Sequence, residues 1–232
     1  MLYIVSTPIG NLQDITLRAL DVLKSVDLIA AEDTRHTKNL LTHFQINTPL
    51  TSYFEHNEIK KSEYLLKLLH EGKNIALVTD AGTPGISDPG YRLINFAKEK
   101  QISMTVVPGP CALIAALSLS ALPTDSFVFL GFLPVKSVGR CKKLSEFKDE
   151  KRTVIFYESP HRIVKSLEDI GCVLTHWEVV VVREITKKFE EVRRGKAAEL
   201  IAHFSKNTPK GEFVLLLHPP AETAIERNHL SP

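Results

Sequence analysis

Cysteine is scarce in this 232-residue chain, and its three copies are not spaced to work together. Cys111, Cys141 and Cys172 lie 30 and 31 residues apart with no CxxC or CxxxC pair, which excludes a metal knuckle or a disulfide framework and makes a reducing, cytoplasmic home the expectation. Long hydrophobic runs are missing too. The longest, Cys111 to Leu122, covers 12 residues and includes Ser118 and Ser120, too short for a bilayer span, so no membrane partner is expected. The opening MLYIVSTPIG has no basic residue and turns at Thr7-Pro8 before the apolar stretch of a signal peptide can develop. An excess of one charge is also absent: the formal net charge of +2 gives no global field of the kind that marks nucleic-acid or membrane-surface proteins, so any polyanion must be met by a local patch. The chain has no GxxxxGK[ST] phosphate loop, GxGxxG dinucleotide turn, GxSxG nucleophile elbow or HxxxH pair, and no metal is indicated.

What is present is ordinary globular composition, 44% hydrophobic and 24% charged, enough for one large domain or two small ones. Apolar runs at 2–5, 28–31, 74–79 and 103–107 read as strands, and helical spacing fills the intervals. One helix start is expected at Asn11 to Asp14, continued by Ile15, Ala19, Val22 and Val26, and another at an Asp88 cap with Pro89 in the first helical position, running to Lys98. This alternation predicts a largely parallel sheet. Residues 118–125 read as a helix end and a crossing, which places a boundary near residue 122 and gives domains 1–122 and 123–232. Strands at 127–130, 154–157, 179–183 and 213–217, and helices at 140–147, 159–170 and 197–204, follow in the second part.

The residues able to do chemistry fall just after the strands, at the carboxyl edge where open α/β sheets bind ligands. Asp80-Ala-Gly-Thr-Pro-Gly-Ile-Ser-Asp-Pro-Gly90 is a glycine- and proline-rich loop that suits close backbone approach to a polar small molecule; an ordered surface loop would have the same composition. Glu32, Asp33, Arg35 and His36 put two carboxylates, a guanidinium and an imidazole at one strand end, able to take a proton or hold a phosphate, or simply forming a solvated helix start capped by Thr34. Phe156-Tyr-Glu-Ser-Pro-His-Arg162 ends a strand and sets His161 and Arg162 in a first helical turn, either an anion contact or an ordinary capped helix. Lys136 to Arg152 holds seven basic and three acidic residues, a flexible basic arm that could track a nucleic-acid backbone or only be solvated.

Taken in order, TPIGNLQDIT, AEDTRHT, DAGTPGISDPG, VPGPCA, GFLP, FYESPHR, REITKKFEE and KGEFVLL resemble the tetrapyrrole methylase superfamily, on its ribosomal-RNA branch, over nearly the whole chain. The resemblance implies a two-domain α/β fold, with a parallel-sheet N-terminal domain, a mixed-sheet C-terminal domain and a cofactor cleft between them. It implies a homodimer that uses S-adenosylmethionine to methylate the ribose 2'-hydroxyl of a decoding-centre cytidine (position 1402) in 16S rRNA of the small ribosomal subunit. The cofactor residues it implies are Pro8, Ile9, Gly10, Asp80, Ala81, Gly82, Thr83, Pro84, Gly85, Ile86, Pro110, Cys111, Ala112, Tyr157 and Arg183. Glu32, Asp33, Arg35 and His36 become the catalytic candidates, and Lys136, Arg140, Lys142, Lys143, His161 and Arg162 the RNA contacts. Tetrapyrrole-acting relatives usually have Gly-Asp-Pro where this chain has Gly82-Thr83-Pro84, and a first loop richer in glycine than TPIGNL, two departures that favour RNA over a corrin or porphyrin. Many rRNA relatives carry a helical C-terminal extension, whereas this sequence stops 15 residues after Leu217, so more of the RNA affinity is expected from the basic arm and dimerisation. The rivals are a cobalamin, siroheme or diphthine-type methyltransferase on the same fold, and a non-catalytic ribosome-assembly factor.

Overall fold

The computed structural model describes residues 1–220, which form two compact units, Met1–Ala112 and a second beginning at Leu113. The first unit has five strands, β1 (Leu2–Val5), β2 (Leu28–Ala31), β3 (Leu50–Ser52), β4 (Ile75–Val78) and β5 (Met104–Val107), all parallel in the order β3-β2-β4-β1-β5. Four helices join them: α1 (Leu17–Ser25), α2 (Thr34–His43), α3 (Glu58–His70) and α4 (Tyr91–Glu99). Strand side chains alternate, so each face of the sheet gathers its own core. Ala19 and Leu23 of α1 and Leu41 of α2 pack with Val5, Ile29, Ala31 and Val78. Leu65 and Leu69 of α3 and Leu93 and Ala97 of α4 pack with Leu2, Ala30, Ile75 and Leu77 on the other face. Strand β4, whose chain leaves toward one face, therefore stands between β2 and β1, whose chains leave toward the other. A crevice opens at the carboxyl end on both sides of β4.

Two helix starts differ from the sequence reading. Asn11 caps only a 3-10 turn (Leu12–Asp14); α1 begins at Leu17, where the Thr16 hydroxyl accepts the Ala19 N–H at 3.1 Å. Asp88-Pro89 does not open α4, because Gly90, at φ 144°, precedes its first residue. The first N–H groups of that helix are instead met from elsewhere, Gly90 donating to Glu58 Oε1 at 3.1 Å and Leu93 to the Tyr53 hydroxyl at 3.2 Å.

The second unit contains α5 (Ala112–Ser120, its first residue shared with the boundary), β6 (Phe127–Phe132), α6 (Ser137–Ser145), β7 (Thr153–Glu158), α7 (Ile163–Val173), β8 (Glu178–Arg183), β9 (Glu191–Gly195), α8 (Ala197–Phe204) and β10 (Phe213–His218). Its sheet order is β6-β7-β10-β8-β9, with β6 and β7 parallel and the remaining pairs antiparallel. Leu144, Ile163, Leu167, Leu200 and Phe204 from its helices cover Val154, Phe156, Val179, Val181 and Leu215. The sequence boundary near residue 122 lies just past the end of α5, whose last carbonyls, Leu119 and Ser120, accept from the Arg194 guanidinium on β9. Among the described residues no helix is long and apolar enough to cross a membrane.

Tyr53 is 1% exposed and its hydroxyl accepts a buried backbone N–H. Tyr53→Phe leaves that donor unmet and should lower unfolding stability by about 1–3 kcal/mol, read as a shifted urea midpoint with an unchanged m-value.

Candidate active site

The strand ends on both sides of β4 are tied together by hydrogen bonds. Toward β2, Thr79 Oγ1 donates to Glu32 Oε2 at 2.5 Å, the Asp80 N–H reaches the same oxygen at 3.3 Å, and the Asp33 N–H donates to Asp80 Oδ1 at 3.0 Å. Toward β1, Thr7 and Gly82 exchange both backbone hydrogen bonds, at 2.9 and 3.1 Å, and the Thr7 hydroxyl donates to Thr79 O at 3.0 Å. The Ser6 and Thr83 hydroxyls meet at 2.8 Å, and Thr83 Oγ1 also donates to Pro110 O at 3.5 Å, which brings in the turn after β5. That turn needs Gly109, since a Cβ there would stand 3.0 Å from Ser6 Cβ. Gly82 and Gly85 sit at φ 88° and 83°, left-handed backbone that side chains resist, so the glycines shape the loop. The sequence segments 7–10, 32–36, 80–86 and 108–112 thus converge within the first unit.

Electrostatics separates the acids. Asp33, not Thr34, caps α2: its carboxylate accepts the Arg35 N–H at 2.8 Å and receives the Arg35 guanidinium at 3.1 and 2.7 Å. These bonds hold Asp33 far below the usual carboxylate range, so it is a poor proton acceptor, and much of the Arg35 charge is answered locally. Asp80 shifts the other way. Burial raises its pKa, as do the charges of Glu32 and Asp33, against the opposing pull of the Asp33 N–H and of His36. His36 and Asp80 line, with Thr7, Pro8, Asn39 and Thr79, a cavity of about 140 Å³. Thr7 belongs to the segment marked in the sequence after the first strand, whereas Asn39 and Thr79 are not singled out there. Thr79 lies at the end of an apolar run and gave no signal, and Asn39 is one polar residue on an amphipathic helix.

The second-unit candidates are mostly engaged within their own fold. The basic arm is not flexible, since Lys136 precedes the helix α6. Arg140 is 3% exposed, bound to Asp169 at 2.7 Å and to Val135 O at 2.6 Å, and so is not free for a phosphate. Lys143 pairs with Glu146, leaving Lys136 and Lys142 as the exposed cations of the set. His161 and Arg162 stand in the turn before α7 rather than in its first turn, and Arg162 pairs at 2.8 Å with Glu158, a fully buried carboxylate that also accepts the Ser166 hydroxyl at 2.6 Å. Arg183 pairs with Glu191 at 3.0 Å, and the Tyr157 ring packs edge-on against Phe129 and Phe132. Among the described residues no cluster of His, Cys, Asp and Glu could hold a metal ion.

Comparison with known proteins adds the lineage. The family described as Tetrapyrrole (Corrin/Porphyrin) Methylases matches residues 1–201. Ribosomal RNA small subunit methyltransferase I of Vibrio cholerae is 55% identical over 221 residues, covering 94% of this chain and 77% of the relative. The protein of the same name from Thermotoga maritima is 47% identical over 216 residues, covering 93% and 97%. Among solved structures, a cobalt precorrin-4 methyltransferase of cobalamin biosynthesis superposes with a TM-score of 0.68 at 20% identity, over 93% of each chain, a likeness of fold alone.

Because Arg140 bridges Asp169 and two carbonyls in a buried setting, Arg140→Ala should cost about 3–5 kcal/mol of stability. Thermal melts should show that loss, while Lys142→Ala leaves the melt unchanged.

Proposed function

Because the chain belongs to the tetrapyrrole (corrin/porphyrin) methylase family, we propose that it is an S-adenosylmethionine-dependent methyltransferase of small-subunit ribosomal RNA, acting on the ribose 2'-hydroxyl of the decoding-centre cytidine. The observation that carries this reading is identity of 47–55% with proteins named ribosomal RNA small subunit methyltransferase I, extending over more than nine-tenths of the chain. On this reading it works in the cytoplasm, as a homodimer, with 16S rRNA as its substrate.

The first-unit loops fit such a donor. The backbone around Gly82 and Gly85 is open, a Cβ at either position meeting nothing closer than 3.6 Å, and the start of the loop is held by the Thr7–Gly82 and Ser6–Thr83 bonds. Residues 8–10, 82–86 and 110–112 would hold the donor, which when bound supplies an electrophilic methyl on a sulfonium. The protein's own task is then to fix the ribose oxygen in line with that methyl, and such positioning is worth up to about 7–11 kcal/mol of a barrier. A hydroxyl also has a proton to lose. Asp80, set by the sequence reading among the cofactor contacts, shares a cavity with His36 and has one carboxylate oxygen held by the Asp33 N–H. We assign Asp80 and His36 to accept that proton and Glu32 to position Asp80, while Asp33 and Arg35 organise the start of α2.

The test is incubation with labelled donor and a choice of small subunits, protein-free rRNA and a tetrapyrrole precursor. Label should appear on the ribose of one rRNA cytidine; label on the tetrapyrrole, or none at all, contradicts the reading. Asp80→Asn should lower kcat by about 10²–10⁴-fold with donor affinity retained. In the wild type the rate should fall as pH drops through the raised pKa of Asp80, because only the carboxylate accepts a proton, and Asp80→Asn should remove that limb.

A further inference from the structure

Between α2 and the edge strand β3 lies a groove of about 690 Å³ that the catalytic reading leaves unused. Strand β3 pairs only with β2, so its outer edge is not covered by the sheet. Arg35 and Lys38 line the groove, together with Thr34, Thr42, Thr51 and Asn47, and no acidic residue does. A further cation stands at the β3 side, where Lys61 Nζ donates to Thr51 Oγ1 at 2.8 Å. Lys38 is exposed and forms no ion pair among the described residues. Arg35 is paired with Asp33, so the unanswered charge of the groove comes from Lys38, with Lys61 beside it, and cations set among hydroxyl and amide residues suit a chain of phosphodiesters. No aromatic ring lines the groove, so it offers bases no stacking platform. Thr34 and Arg35 follow directly on Asp33, whose N–H is bonded to Asp80, so the groove starts beside the reacting end of the sheet.

We propose that this groove binds the phosphodiester backbone of single-stranded RNA flanking the methylated nucleotide, adding affinity and register without reading sequence. The inference rests on the RNA reading above. Its test is Lys38→Glu and the Lys38→Glu/Lys61→Glu pair, assayed in two ways. In direct binding of single-stranded RNA oligonucleotides, which needs no catalysis, affinity should fall equally for cognate and unrelated sequences. The slope of log K against log salt should shrink by roughly 0.7 for each phosphate that is no longer neutralised. In methyl transfer, KM for rRNA should rise severalfold while kcat, donor affinity and the thermal melt stay at wild-type values. An unchanged salt slope and KM in variants of a wild type that does methylate rRNA would overturn the groove and leave the activity standing. A wild type that transfers no methyl to rRNA would overturn the activity, and the oligonucleotide slopes would still decide the groove. Weakened binding to intact subunits with unchanged binding to protein-free rRNA would mean the groove meets a ribosomal protein, which also overturns the proposal.

Discussion

Glu32 Oε2 receives two donors from the neighbouring strand, the Thr79 hydroxyl and the Asp80 N–H, and the arrangement of the candidate site depends on that shared acceptor. Parallel strands end with their last backbone groups unpaired, and on both sides of β4 the chains diverge to opposite faces, so nothing in the sheet itself would hold these ends together. Side chains and one isolated backbone bridge do so instead. Glu32 ties β2 to β4, Thr7 and Gly82 tie β1 to β4, and Thr83 ties β4 to both β1 and β5. Four loops are thereby fixed before any ligand arrives, which is the condition under which positioning can lower a barrier.

The same ties bring three carboxylates close together, and the site resolves their repulsion unequally. Asp33 is satisfied by a guanidinium and a helix start, whereas Asp80 is left partly buried beside two like charges. The linkage signs are therefore opposite. Asp33, with its pKa lowered on folding, stabilises the fold above the ordinary carboxylate range and loses that contribution in acid. Asp80, with its pKa raised, favours the fold while protonated and weakens it as the pH rises through that pKa. A carboxylate with a raised pKa is a better proton acceptor than a neighbour whose pKa is lowered, and this distinction is why the proposed proton acceptor is Asp80 rather than Asp33.

Much of this was legible in the sequence. The β1, β2 and β5 runs, the loops after them and the 197–204 helix stand where periodicity put them, because a short apolar run closed by turn residues marks a strand. Strand β3 was not visible, since Leu50–Ser52 is only three residues long and its identity comes from pairing with β2. The start of α4 was misread at Asp88-Pro89 because its donors are met by Glu58 and Tyr53, more than thirty residues away. Charge was the least readable property. Arg140, in a basic run, and Arg162, at an expected helix start, looked like phosphate contacts but are committed to Asp169 and Glu158, and Asp33 and Asp80 differ because of what lies around each of them. Thr83 has a clear local role: its hydroxyl can both donate to Pro110 O and bond to Ser6.

The central claim is that burial, reinforced by the neighbouring charge of Glu32, raises the pKa of Asp80. The most direct measurement is an NMR titration of the Asp80 side-chain carbon in the wild type and in Glu32→Gln. The account predicts a midpoint above the ordinary aspartate value in the wild type, and a lower midpoint in Glu32→Gln once the neighbouring charge is removed. An Asp80 that titrates like a solvent-exposed aspartate, with the same midpoint in both proteins, would contradict it.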